Sequence, residues 1–143
     1  MSLAADILQS YLRAGDAQDY PTVARALHKD LVTHSPGGMT MRGLEANLDA
    51  WKAAHDGLDL LEHRVVAVVA EDNSVAARVA VTGRHTGSFL GVAPTGAHLA
   101  VDQALFARLH GHQIVELWEI VDTGSGLQQL GVLGPQALGP GPS

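Results

Sequence analysis

Helix-period apolar patterning confined to the first 57 residues, followed by alternating valine-rich runs, predicts an α+β fold. The order of the segments supports this, because three helices precede a meander of strands and no strand–helix–strand unit repeats. A sheet bent over those helices would enclose a ligand pocket against its concave face. The expected architecture is a cone-shaped α+β barrel, with three N-terminal helices packed on a strongly curved, mostly antiparallel sheet.

Each element has its own signal. Ser2 can cap a first helix whose Leu3, Ile7, Leu8, Tyr11 and Leu12 share one face. Gly15 is its expected stop, since glycine takes the left-handed conformation without a Cβ penalty. A second helix starts near Pro21 and carries Val23, Ala26 and Leu27. Leu31 to His34 reads as a short strand and Ser35-Pro36-Gly37-Gly38 as a loop. Leu44, Leu48 and Trp51 mark a third helix that ends at Gly57. Leu60 to Ala70 and Val75 to His85 flank a turn at Glu71-Asp72-Asn73-Ser74. His98 to Leu109 and Ile114 to Val121 flank His110-Gly111-His112-Gln113. The connection Thr86 to Ala97, with Gly87, Gly91, Gly96 and Pro94, has the length of a functional loop. One domain over 1–133 and a disordered glycine- and proline-rich tail over 134–143 complete the expectation.

Composition narrows the function classes. The 143 residues are 46% apolar and 17% charged, which suits a packed globule. A net charge of −6 argues against a nucleic-acid binder. The absence of cysteine removes disulfides, thiolate nucleophiles and cysteine-ligated metals. Apolar runs are too short for a membrane span, and Asp6 and Gln9 interrupt any signal-peptide core, so a cytoplasmic location is expected.

Three groups of residues carry a family likeness. His34-Ser35-Pro36-Gly37-Gly38 precedes Arg42-Gly43-Leu44-Glu45-Ala46. The stretch from Gly83 to Gly96 reads GRHTGSFLGVAPTG, and the chain then runs through Ile114-Val115-Glu116-Leu117-Trp118-Glu119-Ile120-Val121-Asp122 to Leu127-Gln128-Gln129-Leu130-Gly131. Together these resemble the SnoaL-like polyketide cyclases, within the nuclear transport factor 2-like superfamily, over about Leu3 to Val132. The resemblance implies a cofactor-free intramolecular aldol condensation that closes a ring of an aromatic polyketide, typically as its methyl ester. It also implies a homodimer or higher homo-oligomer, with no nucleic-acid or membrane partner. The family's acid/base aspartate falls on Glu119, and a family histidine on the preceding strand falls on Leu105. Some relatives instead act in hydroxylation of polyketide-derived rings with a reductase partner, and a non-catalytic small-molecule-binding protein is the third reading.

Aldol chemistry needs a base at an acidic carbon and a donor for the developing enolate oxygen. Glu119 is the candidate base, because desolvation in an apolar pocket strengthens a carboxylate as a base. Strand alternation puts Leu117, Glu119 and Val121 on one face and Trp118, Ile120 and Asp122 on the other. Glu119 could equally lie on a solvated or dimer-forming face with Trp118 in the core. A two-residue turn at Gly111-His112 would oppose Ala104 to Glu119, with Asp102 diagonal to it; a longer turn would bring Gln103 and Leu105 near instead. Asp102, Asp122 and His34, the last at a strand end before a glycine-rich loop, are further catalytic candidates. Tyr11, Leu12, Trp51, Phe89, Leu105 and Phe106 are candidate substrate contacts. His85 reads as a loop anchor, while His55, His63, His110 and His112 read as surface residues. No histidine pair has metal-ligand spacing, so no metal or other cofactor is expected.

Overall fold

The computed structural model describes residues 2–132, so the tail expected to be disordered lies outside the described residues. Ten elements follow in order. They are α1 (Leu3–Asp16), α2 (Tyr20–Ala26), β1 (Leu27–Ser35), β2 (Met39–Arg42), α3 (Leu44–Gly57), β3 (Leu58–Glu71), β4 (Ser74–His85), β5 (His98–His110), β6 (Gln113–Val121) and α4 (Thr123–Gln129). The strands form one open six-stranded sheet in the order β2-β1-β6-β5-β4-β3. All pairs are antiparallel except β1 with β6. Among the described residues no helix is long and apolar enough to cross a membrane.

Local chemistry explains the helix ends. The Ser2 hydroxyl accepts the Ala5 N–H at 3.3 Å, and Asp19 caps α2 by accepting from the Thr22 N–H and hydroxyl at 3.3 and 2.6 Å. Gly15 is not the stop. The helix runs through it to Asp16, and the chain reverses at Gln18, whose φ is +58°. Glycine is needed at 15 for a different reason: a Cβ there would collide with the indole of Trp51.

Two elements escaped the sequence pattern. Pro36, Gly37 and Gly38 make the turn of a hairpin, with Ser35 opposite Met39 and His34 opposite Thr40 on the short strand β2. Helix α4 is built from Thr-Gly-Ser-Gly-Leu-Gln-Gln, residues of low helical bias, and starts where Asp122 Oδ1 accepts the Ser125 N–H at 3.0 Å. The architecture is thus four helices and an open sheet, three helices before the meander and one after it.

One face of the sheet is the core. Val75, Ala77 and Val79 of β4, Leu99, Leu105, Ala107 and Leu109 of β5, and Ile114 and Leu117 of β6 are buried together with Leu8, Tyr11 and Leu12 of α1. Helix α1 lies against β3 and β4, α3 against β1 and β3, and α4 against β5.

Two of the sheet's register shifts, one on β3 and one on β6, bring site residues to that face. On β3 an extra residue lies between the Asp59–Arg84 and Glu62–Thr82 pairs, with Leu60 at φ +56°, so that Leu58 and Leu61 both point to the core. On β6 the turn is the short one, with His110 paired to Gln113. Val115 is then an extra residue between the Leu109–Ile114 and Arg108–Glu116 pairs. The one-residue shift places Leu105, rather than Ala104, opposite Glu119.

Candidate active site

Between the inner sheet face, α1, α3 and the loop after β4 lies a cavity of about 620 Å³. Its walls are mostly apolar, with Trp51, Leu58, Leu61, Phe89, Leu99 and Val101 among them. Few polar groups enter it, and each is placed by a different element.

Glu119 comes from β6, one inward step beyond the fully buried Leu117. Burial pushes its carboxyl above the usual glutamate range, and the nearby His63 pulls it part of the way back. Among the described residues nothing hydrogen-bonds this carboxylate, so water or a ligand must satisfy it.

Tyr11 reaches the cavity from α1. Its hydroxyl accepts the Asn47 Nδ2 hydrogen at 3.1 Å and the Trp51 Nε1 hydrogen at 3.0 Å. Burial first, and the charge of Glu119 second, hold the phenol far above its ordinary pKa, so it stays a hydrogen-bond donor. Its own proton has only the longer 3.3 Å contact to Asn47 Oδ1 within the protein. Trp51 packs edge-on to Tyr11 at 5.7 Å and to His63 at 5.1 Å, fixing both rings. Gln103, opposite Val121, adds a buried Oε1 without a protein partner.

His63 is not a surface residue. The β3 bulge turns it inward to the cavity, where its Nδ1 is 2.6 Å from Asp16 Oδ1. Its backbone N–H donates to Asp16 Oδ2 at 2.6 Å. A carboxylate only accepts, so Nδ1 carries the proton.

The loop from Thr86 to Ala97 brings Ser88, Phe89 and Leu90 to the cavity. His85 anchors it: fully buried, its Nδ1 accepts the Thr95 N–H at 3.2 Å and lies 2.9 Å from Thr95 Oγ1, and its Nε2 is 3.2 Å from the Val92 carbonyl. The first turn of the loop packs so tightly on the end of α3 that a Cβ at Gly87 would overlap the Asp56 carbonyl. Asp122 lines the cavity as well, one residue past β6, although one of its oxygens is engaged in capping α4. Alternation put Asp122 on the opposite face from Glu119, but the strand ends at Val121 and alternation no longer applies beyond it.

Several candidates lie elsewhere. Inward Leu31 and Thr33 on β1 send His34 to the opposite face, where its Nε2 is 2.7 Å from Glu116 Oε2 and its ring stacks on Trp118 at 5.1 Å. Inward Gln103 and Leu105 on β5 send Asp102 and Phe106 outward as well. Asp102 is 64% exposed and 3.5 Å from Arg78, and Phe106 is 45% exposed. Leu12 and Leu105 are buried in the core and do not line the cavity. Of the ten candidate residues, the structure brings Glu119, Asp122, Tyr11, Trp51 and Phe89 together at one cavity. Gln103, named above as one possible neighbour of Glu119, joins them there, and Asn47 and His63 join them unforeseen. The signals were present: Asn47 stands three residues after Leu44 and four before Trp51, on the apolar face of α3, and His63 alternates with Leu61 and Val65.

An open sheet under helices, with an unpaired acid in a mostly apolar cavity, has the form of the nuclear transport factor 2-like fold. Residues 5–130 match the family model for SnoaL-like polyketide cyclases, and the chain belongs to that family. No curated protein matches it. Among solved structures, IdmH of Streptomyces antibioticus, a proposed polyketide cyclase, is similar at 28% identity and TM-score 0.81, over 90% of this chain and 99% of that one. A proposed SnoaL-like polyketide cyclase of Jannaschia sp. CCS1 has 20% identity and TM-score 0.84, over 93% of this chain and 94% of that one. AclR of Streptomyces galilaeus, a proposed hydroxylase, has 22% identity and TM-score 0.81, over 92% and 82%.

Proposed function

We propose that the protein closes a ring of an aromatic polyketide ester by cofactor-free intramolecular aldol condensation, with Glu119 as the base. The observation that carries this reading is the Glu119 carboxylate itself, unpartnered in an apolar cavity and more basic than an exposed glutamate. Glu119 takes the proton from a carbon flanked by carbonyls. Tyr11, kept protonated and already receiving two hydrogen bonds, gives its own to the enolate oxygen. The enolate carbon then attacks a second carbonyl of the same chain, within walls that hold flat rings by apolar contact. Similarity to IdmH at 28% identity supports the substrate class.

Anaerobic incubation with an aromatic polyketide methyl ester tests this. The expected product has the mass of the substrate or that mass less one water, and a Tyr11→Phe chain forms it at least about tenfold more slowly. A product heavier by one oxygen, formed only with dioxygen and a reductase, would contradict the reading and match a hydroxylase. Tight binding without turnover would instead indicate a binding protein.

The outer sheet face is proposed to pair two copies of the chain. Phe106 and Ile120, 45% and 60% exposed, flank Trp118 beside an open depression of about 850 Å³. Sedimentation is expected to give a dimer that Ile120→Asp dissociates; a wild-type monomer at high concentration refutes the pairing.

A further inference from the structure

The cavity holds a second proton-handling group besides Glu119. Building on the cyclase reading, we propose that His63, oriented by Asp16, is the general acid that protonates the oxygen formed when the ring closes.

The geometry sets the ring up for this task. With Nδ1 donating to Asp16, only Nε2 is left to exchange a proton with a ligand. That atom has no hydrogen bond to a described residue and yet is not sealed from solvent, so it opens to the cavity that the ring lines. Trp51, edge-on at 5.1 Å, fixes the plane of the imidazole. Glu119 stands on the interior strand β6 and His63 on the edge strand β3, near enough for Glu119 to feel the charge of His63, and the two share no hydrogen bond. A substrate can therefore lie between them.

Asp16 is placed for His63 rather than for its own helix. It ends α1, where a carboxylate opposes the helix dipole. Its bond to the His63 backbone N–H would by itself brace the β3 bulge, but that bond needs no histidine side chain. The second bond, to Nδ1, selects the tautomer and the orientation.

The step balances as an isomerisation. Glu119 removes a proton from carbon, and the enolate forms the carbon–carbon bond while the carbonyl π pair moves to oxygen. The protonated His63 gives its Nε2 hydrogen to that oxygen. Glu119 is then neutral and carries the proton that returns to His63 through solvent once the product has left. Tyr11 cannot replace His63 here, because so weak an acid stabilises an oxyanion by hydrogen bonding without releasing its proton.

Following carbon exchange and ring closure together in D₂O separates the two roles. Wild-type protein is expected to exchange the acidic carbon hydrogens of the polyketide ester and to close the ring. His63→Gln should keep the exchange and lose closure by about a hundredfold, the usual scale of one general acid. Asp16→Asn should show the same split to a smaller degree. In His63→Ala, added imidazole should restore closure; failure of rescue in a folded chain overturns the assignment. Undiminished closure by His63→Gln overturns it too and leaves the Glu119 reading standing. A wild-type chain that neither exchanges nor closes the ring overturns both.

Discussion

A Glu119→Gln chain is expected to lose ring closure by about a hundredfold to ten-thousandfold and, at neutral pH, to melt above the wild type. Both effects have one cause. The folded protein resists ionising Glu119, because burial raises its carboxyl above the ordinary value of 4.5 that the unfolded chain retains. Below that value both states are protonated there, and glutamine and glutamic acid contribute alike. As pH rises past it, the unfolded state ionises first and wild-type stability falls, until the folded carboxyl has ionised as well. Glutamine removes this slope, so the gap in Tm between the variant and the wild type should open with rising pH and then level off. Thermal melts from pH 3 to 8 check it. A pH-independent gap, or a variant less stable at neutral pH, would place the carboxylate in an environment other than the one described.

Gly15→Ala is expected to be strongly destabilising for a change of one methyl group. The added Cβ falls within the ring of Trp51, a rigid indole buried among its neighbours with little room to move. Overpacking of this kind costs about 1–3 kcal/mol. Displacing the indole also breaks its 3.0 Å hydrogen bond to Tyr11 and disturbs its edge contact with His63, adding about 1 kcal/mol. A Tm lower by about 5–10 °C and a changed tryptophan emission are the expected readings. An unchanged melt would mean that α1 and α3 can separate at no cost, contrary to the packing around Trp51. Activity should fall with stability, since the same indole holds the Tyr11 hydroxyl.

The fold was largely legible because its determinants are local. Ser2, the apolar stripe of α1, Pro21 and the valine-rich strands each act within a few residues. Strand β2 and helix α4 were not, because Met-Thr-Met-Arg and a Gly-Ser-rich heptad have weak propensities and are held by partners elsewhere: β1 for the one, the Asp122 cap and β5 for the other. Gly15 shows a subtler limit. Sequence marks it as a glycine position, but only the approach of Trp51 from another helix reveals why.

The site divides along the same line. Alternation from Leu117 to Val121 marks the Glu119 face, and its register against β5 awaited the extra residue at Val115. His34, Asp102 and Phe106 were plausible by chemistry but stand on the wrong phase of their strands. The Asp16–His63 pair joins residues 47 positions apart through a bulge at Leu60, and no local pattern announces such a bond.

Removal of a proton from carbon by Glu119 is the step on which the proposed reaction depends. Solvent deuterium wash-in to the acidic position of an aromatic polyketide methyl ester, followed by mass spectrometry with wild-type and Glu119→Gln protein, measures that step directly. The predicted result is rapid wash-in by the wild type, reduced to the buffer rate by the substitution. Equal wash-in by both chains would contradict the central claim.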